Sequence, residues 1–115
     1  MPRAKGGFKT RRRRNKILAL AKGNVGRRKN VYNIARPTVE RGLAYAYRDR
    51  RAKKREMRKL WIIRIAAAAK LCGTSYSKLI GALLKNKSEL NRKVLSELAI
   101  NDFNAFSDLV KQQQL

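Results

Sequence analysis

The chain has 115 residues and a formal charge of +23, from 30 Lys and Arg against 7 Asp and Glu, with one Cys and no His. That length sets one modest domain with appendages. The missing His removes the usual general base and leaves no plausible zinc set, and Cys72 cannot make an internal disulfide. No membrane span is present, because LWIIRIAAAAKLC (60–72) is shorter than about 20 apolar residues and holds Arg64 and Lys70.

In chain order, MPRAKGGFKT (1–10) reads as an extended arm, broken by Pro2, Gly6 and Gly7. A first helix is expected from Thr10, as N-cap, to Lys22, with Gly23 at the following position that accepts a left-handed backbone. RRRRNK (11–16) is followed only by ILALA before Lys22, too short an apolar run for a secretory signal. The first 39 residues contain no acid, as in an organelle transit peptide, but the basic character continues to Lys59 without a break. KGNVG (22–26) is a turn, and its two glycines suit either special backbone angles or a close approach of backbone to something else.

Helical composition resumes at Arg27 and is interrupted by Pro37, which should push Arg36 out of the α region and kink or restart the helix. One long helix is then expected from Thr38 to Leu71, weakened at Gly42 and helped slightly by the pairs Asp49–Lys53 and Glu56–Lys59. Its middle, YRDRRAKKREMRK (47–59), contains no Gly, Pro or β-branched residue. At roughly 100° per residue its cations point to every side, and Tyr47, Ala52 and Met57 make no apolar stripe. Such a helix offers a protein core nothing.

Beyond Lys59 the character changes. Leu60, Ile63 and Ala67 lie along one line and Trp61, Ile62, Ile65 and Ala69 along the next, together a broad apolar face ended by Gly73. Ser75 caps a helix with Tyr76, Leu79, Ile80, Leu83 and Leu84 at amphipathic spacing; Asn91 caps one that should bury Val94, Leu95, Leu98 and Ala99; Asp102 caps one burying Phe103, Phe106, Leu109 and Val110. Cys72 reads as a small packing residue at a helix end in a reducing compartment. No strand pattern appears. The fold class is therefore all-α: a long basic N-terminal helical extension (1–59) leading into a small C-terminal helical bundle (60–115).

Residues 1–59 hold 22 Lys and Arg against 3 acids, whereas 60–115 hold 8 against 4. The front part repels itself and needs a polyanion to become compact. With Tyr32, Tyr45, Tyr47 and Trp61 interleaved, the pattern points to nucleic acid. A DNA reader usually keeps one apolar face of its helix for its own core, and this helix lacks that division. Structured RNA, recognised through phosphates, 2′-hydroxyls and junction shape, fits better. A DNA-compacting architectural protein stays open as the alternative. A membrane-active cationic peptide would need the amphipathic face that residues 45–59 lack.

The residues also resemble a known family. YAYRDRRAKKREMRKLWIIRI (45–65), SYSKLI (75–80), LNRKVLSELA (90–99), the start MPRAKGG and the Lys22–Gly26 turn are similar to the bacterial large-subunit ribosomal protein family numbered twenty, in order and over nearly the whole chain. The resemblance implies a protein that is not an enzyme, needs no cofactor, and binds large-subunit ribosomal RNA beside neighbouring ribosomal proteins in a bacterial or plastid ribosome. Its basic extension would penetrate the RNA, its C-terminal domain would sit on an RNA junction, and it would promote subunit assembly. Some members also repress translation of their own messenger RNA.

Carried over by position, Arg48, Arg50, Arg51, Lys54, Arg55, Arg58 and Lys59 fall on the RNA-contacting helix, and Arg11, Arg12, Arg13, Arg14 and Lys16 on the tail. Arg3, Lys5, Lys22, Arg27 and Arg28 join them as RNA-binding candidates. Ser75, Tyr76, Ser77, Asn91, Arg92 and Lys93 match the C-terminal motifs. Ser75 and Asn91 read equally as caps, and Tyr76 as core. Arg92 and Lys93 read as contacts, because cations in a first helical turn oppose the macrodipole. The chain departs from the family at Ala66, where Asn is frequent, at Pro37, and in a turn without aromatic residues.

Overall fold

A computed structural model describes residues 1–113. Among these the order is α1 (Gly7–Ala21), a 3-10 turn (Gly26–Lys29), α2 (Tyr32–Leu71), α3 (Tyr76–Lys85), α4 (Arg92–Asn101) and α5 (Phe103–Gln112), all helical as the composition implied. The chain divides into two units, Met1–Arg51 and Ala52–Leu115, so the boundary falls within α2.

In the first unit α1 starts one turn earlier than Thr10. Gly6 takes the N-cap position without a side-chain bond, and the Thr10 hydroxyl donates back to the Gly6 carbonyl at 3.5 Å. Thr10 therefore sits inside the first turn rather than capping it, because nothing between Gly7 and Thr10 stops helix growth. The C-terminal end is as expected, with Gly23 at φ 90°. Gly26 has φ 64°, and a side chain built at either glycine meets nothing within 4 Å. Backbone angle, not close approach within the chain, is what requires the two glycines.

Pro37 does not restart the helix; it lies inside α2, which begins at Tyr32, and Arg36 is helical. The ring deletes one bond, to the Asn33 carbonyl, and Asn33 is exposed, so that carbonyl stays hydrated. The turn before it is held by the Val31 carbonyl, which accepts from Ile34 and Ala35 (3.1 and 2.7 Å), and by the Thr38 hydroxyl, which donates to Ile34 (2.9 Å). The ion pair Arg36–Glu40 (2.9 Å) spans the proline. Among the described residues the expected pairs Asp49–Lys53 and Glu56–Lys59 do not form; Asp49 turns instead to Arg48 at 2.9 Å. Only two apolar residues of this unit are buried, Ala21 and Ala35. Two methyl groups make no core.

The second unit has one. Ile65, Ala68 and Ala69 of α2, Leu79 and Leu83 of α3, Leu95 of α4, and Phe106 and Val110 of α5 form a single cluster, edged by Cys72, Tyr76, Ile80, Leu98, Ala99 and Leu109. Each large aliphatic or aromatic side chain buried there contributes about 1.5 to 3 kcal/mol. Every expected cap is in place: Ser75 accepts from Lys78 N–H (3.4 Å), Asn91 from Val94 N–H (2.9 Å) and Asp102 from Ala105 N–H (3.0 Å). Gly73, at φ 79°, closes α2 with paired bonds from Gly73 N–H to Lys70 and Thr74 N–H to Ala69. The same closure ends α3, but there the left-handed residue is Lys87, at φ 52°.

Several inward assignments are corrected. Leu60 and Ile63 are exposed (37% and 65%), as is Ala67, because a bundle of this size covers only one side of α2. Leu84, Val94 and Phe103 also face out. In α4 the buried arc is centred between Leu95 and Ser96, one residue later than the apolar periodicity suggests. Ser96 is fully buried and its hydroxyl has no partner among the described residues.

Candidate nucleic-acid interface

In the first unit, α1 carries Arg11, Arg12, Arg13, Arg14 and Lys16, all exposed, and four consecutive arginines at roughly 100° steps encircle the helix. Arg3 and Lys5 precede the helix, Lys22 is its C-cap, and Arg27 and Arg28 lie in the 3-10 turn; all are exposed. An open cleft of about 500 Å³ between α1 and that turn is lined by Asn15, Leu18, Ala19, Lys22, Gly23, Lys29 and Asn30. Arg14 reaches the Tyr32 ring at 5.1 Å and so ties α1 to the first turn of α2. On α2, Arg48, Arg50 and Arg51 project into solvent.

In the second unit, Lys54, Arg55, Arg58 and Lys59 are likewise exposed. Of the candidate cations, Arg48 alone has a carboxylate partner among the described residues. The hydrogen bond that Arg48 donates to the Asp49 carboxylate raises the Arg48 pKa above its ordinary value, and the bond from Arg36 to Glu40 does the same for Arg36. The other candidates have no carboxylate partner among the described residues. That arrangement can bind phosphate oxygens on several sides at once, with Arg able to bridge two of them.

Arg92 and Lys93 begin α4. Arg92 is half-buried, its Nε donating to the Tyr76 hydroxyl at 2.7 Å, so the fork of its two outer nitrogens is left for an external acceptor. Lys93 is exposed. Ser75 and Asn91 use their side-chain oxygens as caps, and Ser77 is exposed.

Two features escape the candidate set drawn from the sequence motifs. Lys9, Lys29, Arg41 and Lys53 are as exposed as the candidates carried over by position, and a plain count of cations would have included them. Arginines also lie over aromatic rings: Arg12 over Phe8 (5.6 Å), Arg48 over Tyr45 (4.7 Å) and Arg51 over Tyr47 (4.1 Å). The spacing of three or four residues between each ring and its arginine was the available signal.

Residues 3–109 match the family model described as Ribosomal protein L20. The chain belongs to the ribosomal protein L20 family. Proteins named "Large ribosomal subunit protein bL20" are 54% identical in Amoebophilus asiaticus (97% of this chain, 98% of the relative), 58% in Desulforapulum autotrophicum (93% and 92%) and 57% in Phocaeicola vulgatus (96% and 95%). The L20 match runs through both units, so the basic front and the helical bundle are parts of one family pattern. L20 proteins are structural proteins of the ribosome rather than enzymes. Among the described residues no helix is long and apolar enough to cross a membrane.

Proposed function

We propose that this chain is a structural component of the large ribosomal subunit that binds large-subunit ribosomal RNA directly and promotes assembly of the subunit in the cytoplasm. The observation that carries the reading is the exposure, on all sides of α1 and the middle of α2, of cations without carboxylate partners. A solvated helix needs no such concentration, and a surface helix would strand it against apolar groups. A helix enclosed by phosphates uses all of it.

The front unit, with only Ala21 and Ala35 buried, takes its lasting shape as phosphates displace its counterions. Ordered in this way it fixes neighbouring RNA helices, while the cored second unit docks through Arg92 and Lys93. Adjacent ribosomal proteins would meet the surfaces that RNA leaves uncovered. The same docking of the second unit on the leader of its own messenger would let the protein repress its own synthesis. A reporter fused to that leader tests this, with repression by the wild type and release by Arg92→Gln expected.

Binding to transcribed large-subunit RNA, measured from 50 to 200 mM salt, tests the main reading. Neutralising six to ten phosphates predicts a fall in affinity of about 10³ to 10⁵ over that range. A flat response, or equal preference for random duplex DNA in competition, contradicts it.

A further inference from the structure

The exposed aromatic residues of α2 suggest more than charge. Tyr45 and Tyr47 are 49% and 56% exposed, so two large aromatic side chains stand well out of the helix surface. Each has one face taken by an arginine of its own helix, Arg48 at 4.7 Å and Arg51 at 4.1 Å, and about half of each tyrosine stays in solvent. Two positions apart on a helix, the rings stand roughly 200° apart about the axis. They therefore look to opposite sides.

We infer that Tyr45 and Tyr47 are two stacking platforms, each taking one unpaired nucleobase on its open face, so that α2 joins RNA segments lying on opposite sides of it. This rests on the ribosomal-RNA reading and deepens it by naming the ligand group. A guanidinium over one face holds the ring in place and draws electron density toward itself, which favours a large polarisable partner on the other face. Nucleobases are such partners and stack without regard to sequence. Phosphate contacts from the surrounding arginines bring RNA close but cannot grip a base. A protein partner fits less well, since each ring carries an arginine, Arg48 on Tyr45 and Arg51 on Tyr47, which would repel a basic neighbour and leave an apolar one facing charge.

The experiment uses the full chain and transcribed large-subunit RNA, with affinities measured at several salt concentrations. Tyr45→Leu and Tyr47→Leu keep helix-forming bulk but remove the π face; Tyr45→Phe and Tyr47→Phe keep the face and remove the hydroxyl. Each Leu variant is expected to bind about tenfold more weakly with an unchanged salt slope, and each Phe variant to bind as the wild type does. The two Leu losses should multiply, because separate bases are involved. Arg50→Gln should instead reduce the salt slope by about one. Leu variants that bind like the wild type, or Phe variants as impaired as the Leu ones, would overturn the stacking assignment while leaving RNA binding intact. A wild type with no salt response would overturn the RNA reading itself, and the platforms with it.

Discussion

Arg92 donates its Nε–H to the Tyr76 hydroxyl at 2.7 Å, which joins the first residue of α4 to the first residue of α3. A cation in a first turn opposes the helix macrodipole by about 0.3 to 1 kcal/mol, and the phenol oxygen offsets part of that. Tyr76→Phe should therefore lower unfolding free energy by about 1 kcal/mol in chemical denaturation. It should also weaken RNA binding, and that loss should largely vanish in an Arg92→Gln background, since the tyrosine acts through the arginine. Independent, additive losses would show that the pair does not work as a unit.

Lys87 holds a left-handed backbone, φ 52°, at the end of α3 where α2 uses glycine. The strain for a side-chain residue is about 1 to 2 kcal/mol. Lys87→Gly should relieve it and raise the denaturation midpoint by the equivalent of about 1 kcal/mol, after allowing for the freer unfolded chain. An unchanged midpoint would mean that the Lys87 conformation is not strained.

The buried Ser96 hydroxyl has no hydrogen-bond partner among the described residues. Leaving such a group unpaired costs about 1 to 3 kcal/mol. Ser96→Ala should accordingly raise thermal stability by about 1 kcal/mol at Tm, whereas Leu95→Ala next to it should lower stability by about 2 to 5 kcal/mol. A destabilised Ser96→Ala would reveal a bond partner that the static arrangement hides.

The chain has no His, and the two shifts present, at Arg36 and Arg48, are upward and caused first by carboxylate hydrogen bonds. A raised pKa keeps the guanidinium protonated to still higher pH, so no cation is lost as pH rises from 5.5 to 7.0. RNA affinity at constant ionic strength should be level across that interval. A change of tenfold or more would implicate a titrating group elsewhere.

The sequence revealed most of what local chemistry decides. Ser75, Asn91 and Asp102 announce helix starts because their short side chains satisfy free N–H groups, and Gly23 and Gly73 announce ends because the left-handed backbone suits them. Local pattern failed where the outcome depends on what packs against a helix. Leu60, Ile63 and Val94 continue an apolar periodicity yet stay exposed, and Ser96 is fully buried although a hydroxyl gives no apolar signal. Pro37 misled for another reason: a proline near a helix start deletes a single bond, which the turn before it can absorb. In the interface, charge marked the cations at once. Their pairing with Tyr45, Tyr47 and Tyr76 needed side-chain positions.

The most direct measurement is hydrogen exchange on the full chain, free and bound to large-subunit ribosomal RNA. The amides of α1 and of α2 up to Arg51 should exchange within seconds in the free protein and become strongly protected on the RNA, while those of α3, α4 and α5 are protected in both states. Strong protection of α1 and the front of α2 without RNA would contradict the central claim, because that unit would then hold its shape unaided.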